Sequence, residues 1–127
     1  MDVGLRLPPG VDRAALQARM VEWGAEAEVT FPYHEPAYRA GKNTFVVRSL
    51  LRAIRGAGGR PRFKVKTGTS DMNVVGPRWG CPIIAYGPGD SSLDHTPDER
   101  MEIEAFGKGV EVLTHALRLL GADRSEP

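Results

Sequence analysis

The residue best suited to chemistry in this sequence is His95, which follows a loop rich in Gly, Asp and Ser and has Asp94 beside it. A neutral imidazole at such an accessible position is a good zinc ligand. One histidine cannot hold a metal ion by itself, because zinc sites in proteins use three or four protein ligands. The spacing therefore leaves two interpretations open, a metal ligand and a histidine that forms local hydrogen bonds near a helix start.

Two further places could bind an anion. Gly68, Thr69 and Ser70 offer hydroxyl groups and close backbone approach at what the pattern predicts to be a helix N-terminus. Ordinary turn chemistry explains the same three residues. Arg6 lies in an alternating segment, where it could form a salt bridge or bind a carboxylate in a bidentate manner through two guanidinium N–H groups.

Four positive side chains alternate along one short segment. Such a pattern usually marks a solvated strand face, and an acidic macromolecular partner is the sharper interpretation. The four are Arg60, Arg62, Lys64 and Lys66.

The elements that position the anion-binding candidates begin with an alternating segment over residues 2–7, which predicts a strand with one buried face. Asp12 can then cap a helix that Gly24 ends in the left-handed conformation, and residues 26–31 alternate again. The first part is therefore predicted as β-α-β. Residues 32–42 follow neither period and are interpreted as a crossover or a hinge.

The second part continues the alternation of helices and strands. Asn43 or Thr44 starts a helix, residues 62–65 and 82–86 are predicted strands, and Thr96 to Glu99 has the signature of a helix start. The last helix carries an apolar stripe that the spacing predicts to be buried. Its members are Ile103, Phe106, Val110, Leu113, Leu117 and Leu120. The fold class is therefore predicted as α/β.

The composition limits the possible partners and setting. The 127 residues carry 17 Lys+Arg, 16 Asp+Glu and 41% hydrophobic residues, which indicates an ordered domain with a net charge of +1. This balance gives no general attraction to nucleic acid or to an anionic membrane surface. Cys81 is the only cysteine and the start lacks a signal-peptide pattern, so a cytoplasmic location is expected.

The strings KTGTSDMN at residues 66–73 and AYGPGDSSLDHTPDE at 85–99 resemble the C-terminal part of a metallohydrolase family. This family contains acetylornithine deacetylase, succinyl-diaminopimelate desuccinylase and carboxypeptidase G-like enzymes. Within it, the two strings look most like the hydrolases that release lysine or ornithine from an amino-group carrier protein. The resemblance extends from Asp2 to about Leu120.

The resemblance implies a particular architecture. Residues 1–40 would be the last β-α-β of an inserted, ferredoxin-like lid and dimerisation domain. Residues 41–127 would form the C-terminal part of an aminopeptidase-like α/β sandwich that binds two zinc or cobalt ions. A homodimer through the lid is implied as well.

Site residues also follow from the resemblance. His95 matches the family's C-terminal metal-binding histidine, and Arg6 is similar to the lid arginine that grips the substrate carboxylate. Gly68 and Thr69 match the loop that holds the substrate backbone, and Ser70 together with Asp71 would fix the shape of that loop. Many members have arginine at the position of Asn73, so generic exopeptidase specificity is not expected here.

The implied activity is hydrolysis of an N-acylated lysine or ornithine, with an acidic carrier protein as partner, in lysine or arginine biosynthesis. In the complete family enzyme, a metal-bridging water attacks the amide carbonyl after a glutamate takes its proton. The other metal ligands and this glutamate belong to a segment that these residues do not match, so no hydrolysis by this chain alone is expected. The alternatives are an acetylornithine deacetylase or dipeptidase of the same family, and a non-catalytic module that dimerises or binds carboxylates.

Overall fold

The computed structural model describes residues 1–66 and 68–122. Thr67 of the first motif, and the tail beyond residue 122, lie outside the described residues. Within those two ranges the regular elements are four helices. They are α1 (Arg13–Gly24), α2 (Phe45–Gly56), α3 (Asp71–Trp79) and α4 (Ile103–Ala122).

Each predicted strand segment lacks a ladder in the described part of the chain, and this corrects the strand predictions for residues 2–7, 26–31, 62–65 and 82–86. Alternation selects which side chains share a face, but a strand also needs a neighbour that accepts and donates its backbone hydrogen bonds. Val3 and Leu5, predicted to face a core, remain 57% and 53% exposed. The β-α-β and the sheet of the sandwich are therefore not observed in the described residues.

The chain divides into two compact units. The first contains residues 1–39 together with 66 and 68–80, and the second contains residues 40–65 and 81–122. The assignment of residues 1–40 to a lid and of 41–127 to a catalytic domain stays a prediction.

In the first unit, α1 begins where the sequence predicts. The Asp12 carboxylate accepts a hydrogen bond from the Ala15 N–H at 3.0 Å, which satisfies one of the free amides of the first turn. The helix includes Gly24, and the positive φ of 50° falls on Ala25 instead of Gly24. With ψ −106°, Ala25 lies outside the left-handed helical region, so the left-handed end predicted at Gly24 is not observed.

Helix α2 of the second unit is capped at both ends by local hydrogen bonds. Thr44 Oγ1 accepts from the Val47 N–H at 3.3 Å, so Thr44 is the N-cap. At the other end Gly58 has φ +73°, its N–H donates to the Arg55 carbonyl oxygen at 3.0 Å and the Gly59 N–H donates to that of Ile54 at 2.8 Å. This pair of bonds is a Schellman motif. The motif requires one residue in the left-handed conformation, which glycine adopts at little cost.

The core of the second unit lies between α2 and α4, which pack against each other. Its buried residues are Leu50, Ala53, Val112 and Ala116, with Ile84 and Tyr86 packed against them. The apolar stripe predicted to be buried is largely exposed, Ile103 at 89% and Leu117 at 66%. The buried face of α4 is the one that carries Gly109, Val112 and Ala116, because small side chains allow the two helices to approach closely.

The last helix also starts later than the capping signature predicts. Thr96 Oγ1 donates to the Leu93 carbonyl oxygen at 2.8 Å, and Glu99 Oε2 accepts from the His95 N–H at 2.9 Å. Both side chains are engaged with residues that precede them, so they stabilise a turn instead of a helix start. None of the helices within the described ranges is long and apolar enough to cross a lipid bilayer.

Candidate functional site

His95 lies in the second unit, in the turn region between Tyr86 and α4. It is exposed, and its backbone has φ +64°, in the left-handed region that residues other than glycine seldom adopt. This conformation costs on the order of 1–3 kcal/mol and persists only where the surroundings enforce it. The Glu99 carboxylate supplies one such constraint through its bond to the His95 N–H.

The turn before His95 is built around Asp90. Its Oδ1 accepts from the Ser92 N–H at 2.9 Å and from the Ser92 Oγ–H at 2.8 Å. The backbone bond, followed by the side-chain bond, lowers the pKa of Asp90 below its ordinary value, and Lys64 and Arg100 act in the same direction. The Asp90 carboxylate is therefore charged at neutral pH and holds the turn.

A shallow depression of about 230 Å³ lies beside this turn in the second unit. Three carboxylates and one guanidinium line it, those of Asp90, Asp94, Glu99 and Arg100. The depression is open to solvent, and its carboxylates outnumber its one guanidinium. A basic group is therefore the kind of ligand that its charge favours.

The described residues do not form a complete metal site. Within residues 1–66 and 68–122, no three His, Cys, Asp or Glu side chains are grouped so that they could hold one ion. His95 is therefore one candidate ligand of a site that the described side chains do not complete.

The other candidate residues belong to the first unit. Arg6 is exposed, and in the part of the chain that the structure describes it forms no ion pair, so the salt bridge considered from the sequence is not observed. Gly68, Thr69 and Ser70 are exposed and lead directly into α3, for which Ser70 is the N-cap. The structure thus places Arg6 and this loop in one unit and His95 in the other.

Asn73 has a role that the motif alone did not reveal. Its Oδ1 accepts from the Ser70 N–H at 2.9 Å, and its Nδ2 donates to the Pro36 carbonyl oxygen at 2.7 Å. The first bond was detectable in principle, because a polar side chain three residues after a serine N-cap completes a capping box. The second joins residues 37 positions apart, so no local pattern could have predicted it.

Comparison with known proteins identifies the relatives of this chain. Residues 3–119 match the peptidase family M20/M25/M40. The chain is 51% identical over 122 residues to a [LysW]-lysine hydrolase of Deinococcus radiodurans, which covers 94% of this chain and 34% of that protein. It is 42% identical over 123 residues to a putative [LysW]-lysine/[LysW]-ornithine hydrolase of Pyrococcus furiosus, which covers 97% and 34% respectively.

A more distant match agrees with these two. A [LysW]-lysine/[LysW]-ornithine hydrolase of Saccharolobus solfataricus is 38% identical over 85 residues, 67% of this chain and 24% of that protein. The chain spans about a third of the length of the first curated relatives that it matches. Such family proteins have an α/β peptidase fold, of which the described residues show the helices. Since the family match extends over most of its length, this chain belongs to the peptidase family M20/M25/M40.

Proposed function

We propose that this chain is part of a metal-dependent amidohydrolase that releases lysine or ornithine from a conjugate with the carrier protein LysW. The observation that carries the proposal is the 51% identity, over nearly the whole chain, to a protein named as a [LysW]-lysine hydrolase. Because the chain matches only about a third of that relative, the activity is assigned to the complete hydrolase.

For the architecture, we propose that residues 1–40 end a lid and dimerisation domain and that residues 41–127 contribute to a catalytic α/β sandwich. The exposed apolar side chains of Val3, Leu5, Phe63 and Val65 support this proposal. They lie on segments with strand-like alternation, and such side chains are normally covered in a complete domain. A homodimer through the lid is part of the same proposal.

For the metal centre, we propose His95 as one ligand of a pair of zinc or cobalt ions. Proteins of this family are generally metal-dependent. The support from the structure is that His95 is exposed and held in a strained backbone conformation, a combination that is concentrated at functional sites. The remaining ligands would come from residues outside those described.

For the substrate, we propose that Arg6 binds its carboxylate and that Gly68 and Thr69 contact its backbone, with Ser70 fixing the loop. The exposure of Arg6 and its lack of an ion pair within the described ranges support this role, since a bidentate guanidinium suits a carboxylate. An acidic carrier protein would be attracted by the exposed positive side chains of Arg60, Arg62 and Lys64.

The test is to combine this chain with the part of the Deinococcus radiodurans hydrolase that it does not match, in the presence of Zn²⁺ or Co²⁺. We expect lysine release from LysW-lysine by the mixture and none by the chain alone. Turnover of acetylornithine and of a dipeptide, measured in parallel, decides between the three substrate classes. Tight binding of two zinc ions by this chain alone would contradict the proposal.

A matched pair of histidine variants tests the site. His95→Ala is expected to abolish the reconstituted activity, because a metal ligand would be lost. His34→Ala is the control, since His34 is also exposed and lies in the other unit. Full activity of the His95 variant would exclude His95 as a ligand, and binding of carboxylates without any turnover would favour a non-catalytic module.

A further inference from the structure

The side-chain amide of Asn73 holds two separate backbone segments at once. Its oxygen accepts from the Ser70 N–H at 2.9 Å, and its nitrogen donates to the Pro36 carbonyl oxygen at 2.7 Å. All three residues belong to the first unit, and Asn73 is partly buried. We propose that Asn73 is a positioning residue, which fixes the candidate substrate loop, residues 68–70, to the segment around Pro36.

A second contact on the same helix face reinforces this attachment. Gly76 follows Asn73 by three residues and is therefore on the same side of α3. A Cβ placed at Gly76 would clash with the ring of Tyr38, so the helix backbone packs directly on that ring. Helix α3 is thus attached to residues 36–38 at two points, one polar and one apolar. The loop that leads into α3 cannot slide along this segment without breaking one of them.

The hydrogen bonds also distinguish the backbone N–H groups of the loop residues 68–70 from one another. The Ser70 N–H is already bonded to Asn73, whereas among the described residues the N–H groups of Gly68 and Thr69 have no intrachain acceptor. A ligand held by backbone donors of this loop would therefore be held by Gly68 and Thr69. Ser70 and Asn73 would act on it only through the shape of the loop. This division rests on the proposed function, in which Gly68 and Thr69 contact the substrate and Ser70 fixes the loop.

The chemistry of the amide suggests which substitutions separate its two bonds. Asn73→Ala removes both. Asn73→Asp keeps an acceptor for the Ser70 N–H but has no donor for the Pro36 carbonyl oxygen when it is ionised. Arg78→Gln is a matched control, because Arg78 is exposed on the same helix and has no hydrogen bond or ion pair within the described ranges.

The first experiment measures amide hydrogen exchange at Ser70 by NMR in the full chain. We expect exchange to be about tenfold faster in Asn73→Ala, which corresponds to about 1.4 kcal/mol, and close to wild type in Asn73→Asp and Arg78→Gln. An unchanged rate in Asn73→Ala would overturn the proposal. If Asn73→Ala does not fold, Asn73→Asp provides the test. Loss of Ser70 protection in that variant would overturn the proposal that the side-chain oxygen holds Ser70 independently of the bond to Pro36.

The second experiment uses the reconstituted hydrolase described above and LysW-lysine as substrate. Both Asn73 variants are expected to raise KM by about tenfold with kcat within about twofold of wild type, since the loop orients the substrate without touching the reacting atoms. A purely structural role would reduce the active fraction, and thus kcat, without moving KM, and this result would contradict the proposal. If the wild-type mixture is inactive, the proposed function fails, and the exchange rates alone decide whether Asn73 positions the loop.

Discussion

Glu99 holds the backbone of His95, four residues before it, by accepting the His95 N–H at 2.9 Å while His95 is in the left-handed conformation with φ +64°. The two residues belong to a turn that the sequence pattern assigned to a helix start. The bond explains how a residue with a Cβ is kept in a conformation that normally favours glycine. It also links a carboxylate to the proposed metal ligand through the backbone.

The strain at His95 can be measured by replacing this residue with glycine. We expect His95→Gly to leave the free energy of unfolding unchanged or to raise it by up to about 1 kcal/mol. Glycine adopts positive φ without steric cost, and this gain offsets the larger conformational entropy that glycine has in the unfolded chain. His95→Ala, which keeps the Cβ, should give no such gain. Urea unfolding compares the variants. A loss of more than about 1 kcal/mol in His95→Gly would mean that the side chain stabilises the turn by contacts of its own.

The contact between Gly76 and the Tyr38 ring predicts that a methyl group is not tolerated there. Gly76→Ala should lower the free energy of unfolding by about 1–3 kcal/mol, because overpacking outweighs the better helix propensity of alanine. Gly107→Ala in α4 is the control. Nothing lies within 4 Å of its added Cβ, so we expect stabilisation by roughly 0.5–1 kcal/mol. Thermal unfolding of both variants checks the contrast, which equal effects would contradict.

The choice of buried face on α4 can be tested with two valines that lie two residues apart. Val112 is 2% exposed and packs against α2, whereas Val110 is 50% exposed. We expect Val112→Ala to cost about 1.5–2 kcal/mol, by roughly 0.8 kcal/mol for each buried methylene-sized group. Val110→Ala should cost less than about 0.5 kcal/mol. Chemical denaturation of the full chain measures both, and the reverse order would show that the predicted stripe is the buried one after all.

The turn at Asp90 should open in acid. Its pKa is lowered in the folded chain by the two hydrogen bonds from Ser92, so the charged form stabilises the fold at pH values above the ordinary value of 3.8. This contribution is lost as the pH falls below 3.8 and through the lower folded pKa. We expect the Ser92 amide to lose protection in that window. In Asp90→Asn, whose oxygen still accepts but does not titrate, protection should not change over this range, and NMR exchange at several pH values provides the measurement.

The helix ends show how much local sequence can determine. The Asp12 cap, the Thr44 cap and the Schellman end at Gly58 follow from interactions within a few residues. The sequence therefore predicted correctly where α1 and α2 begin. The Thr96 signature failed because Thr96 and Glu99 found competing local partners in Leu93 and His95, and residue type alone does not rank such alternatives.

For the site, the sequence by itself determined which chemical groups are present: an imidazole at His95, a guanidinium at Arg6 and a small hydroxyl-rich loop from Gly68 to Ser70. The family was also recognisable from the sequence, because the motif strings at residues 66–73 and 85–99 can be identified without knowing how they pack.

Only the tertiary structure decided which face of α4 is buried and which distant segment holds the loop. Both depend on pairs far apart in the chain, such as Asn73 with Pro36 at 2.7 Å. The same reason explains why the predicted strands are not observed in residues 1–66 and 68–122. Periodicity records which side chains share a face, whereas burial and backbone pairing are set by the partner that the face meets.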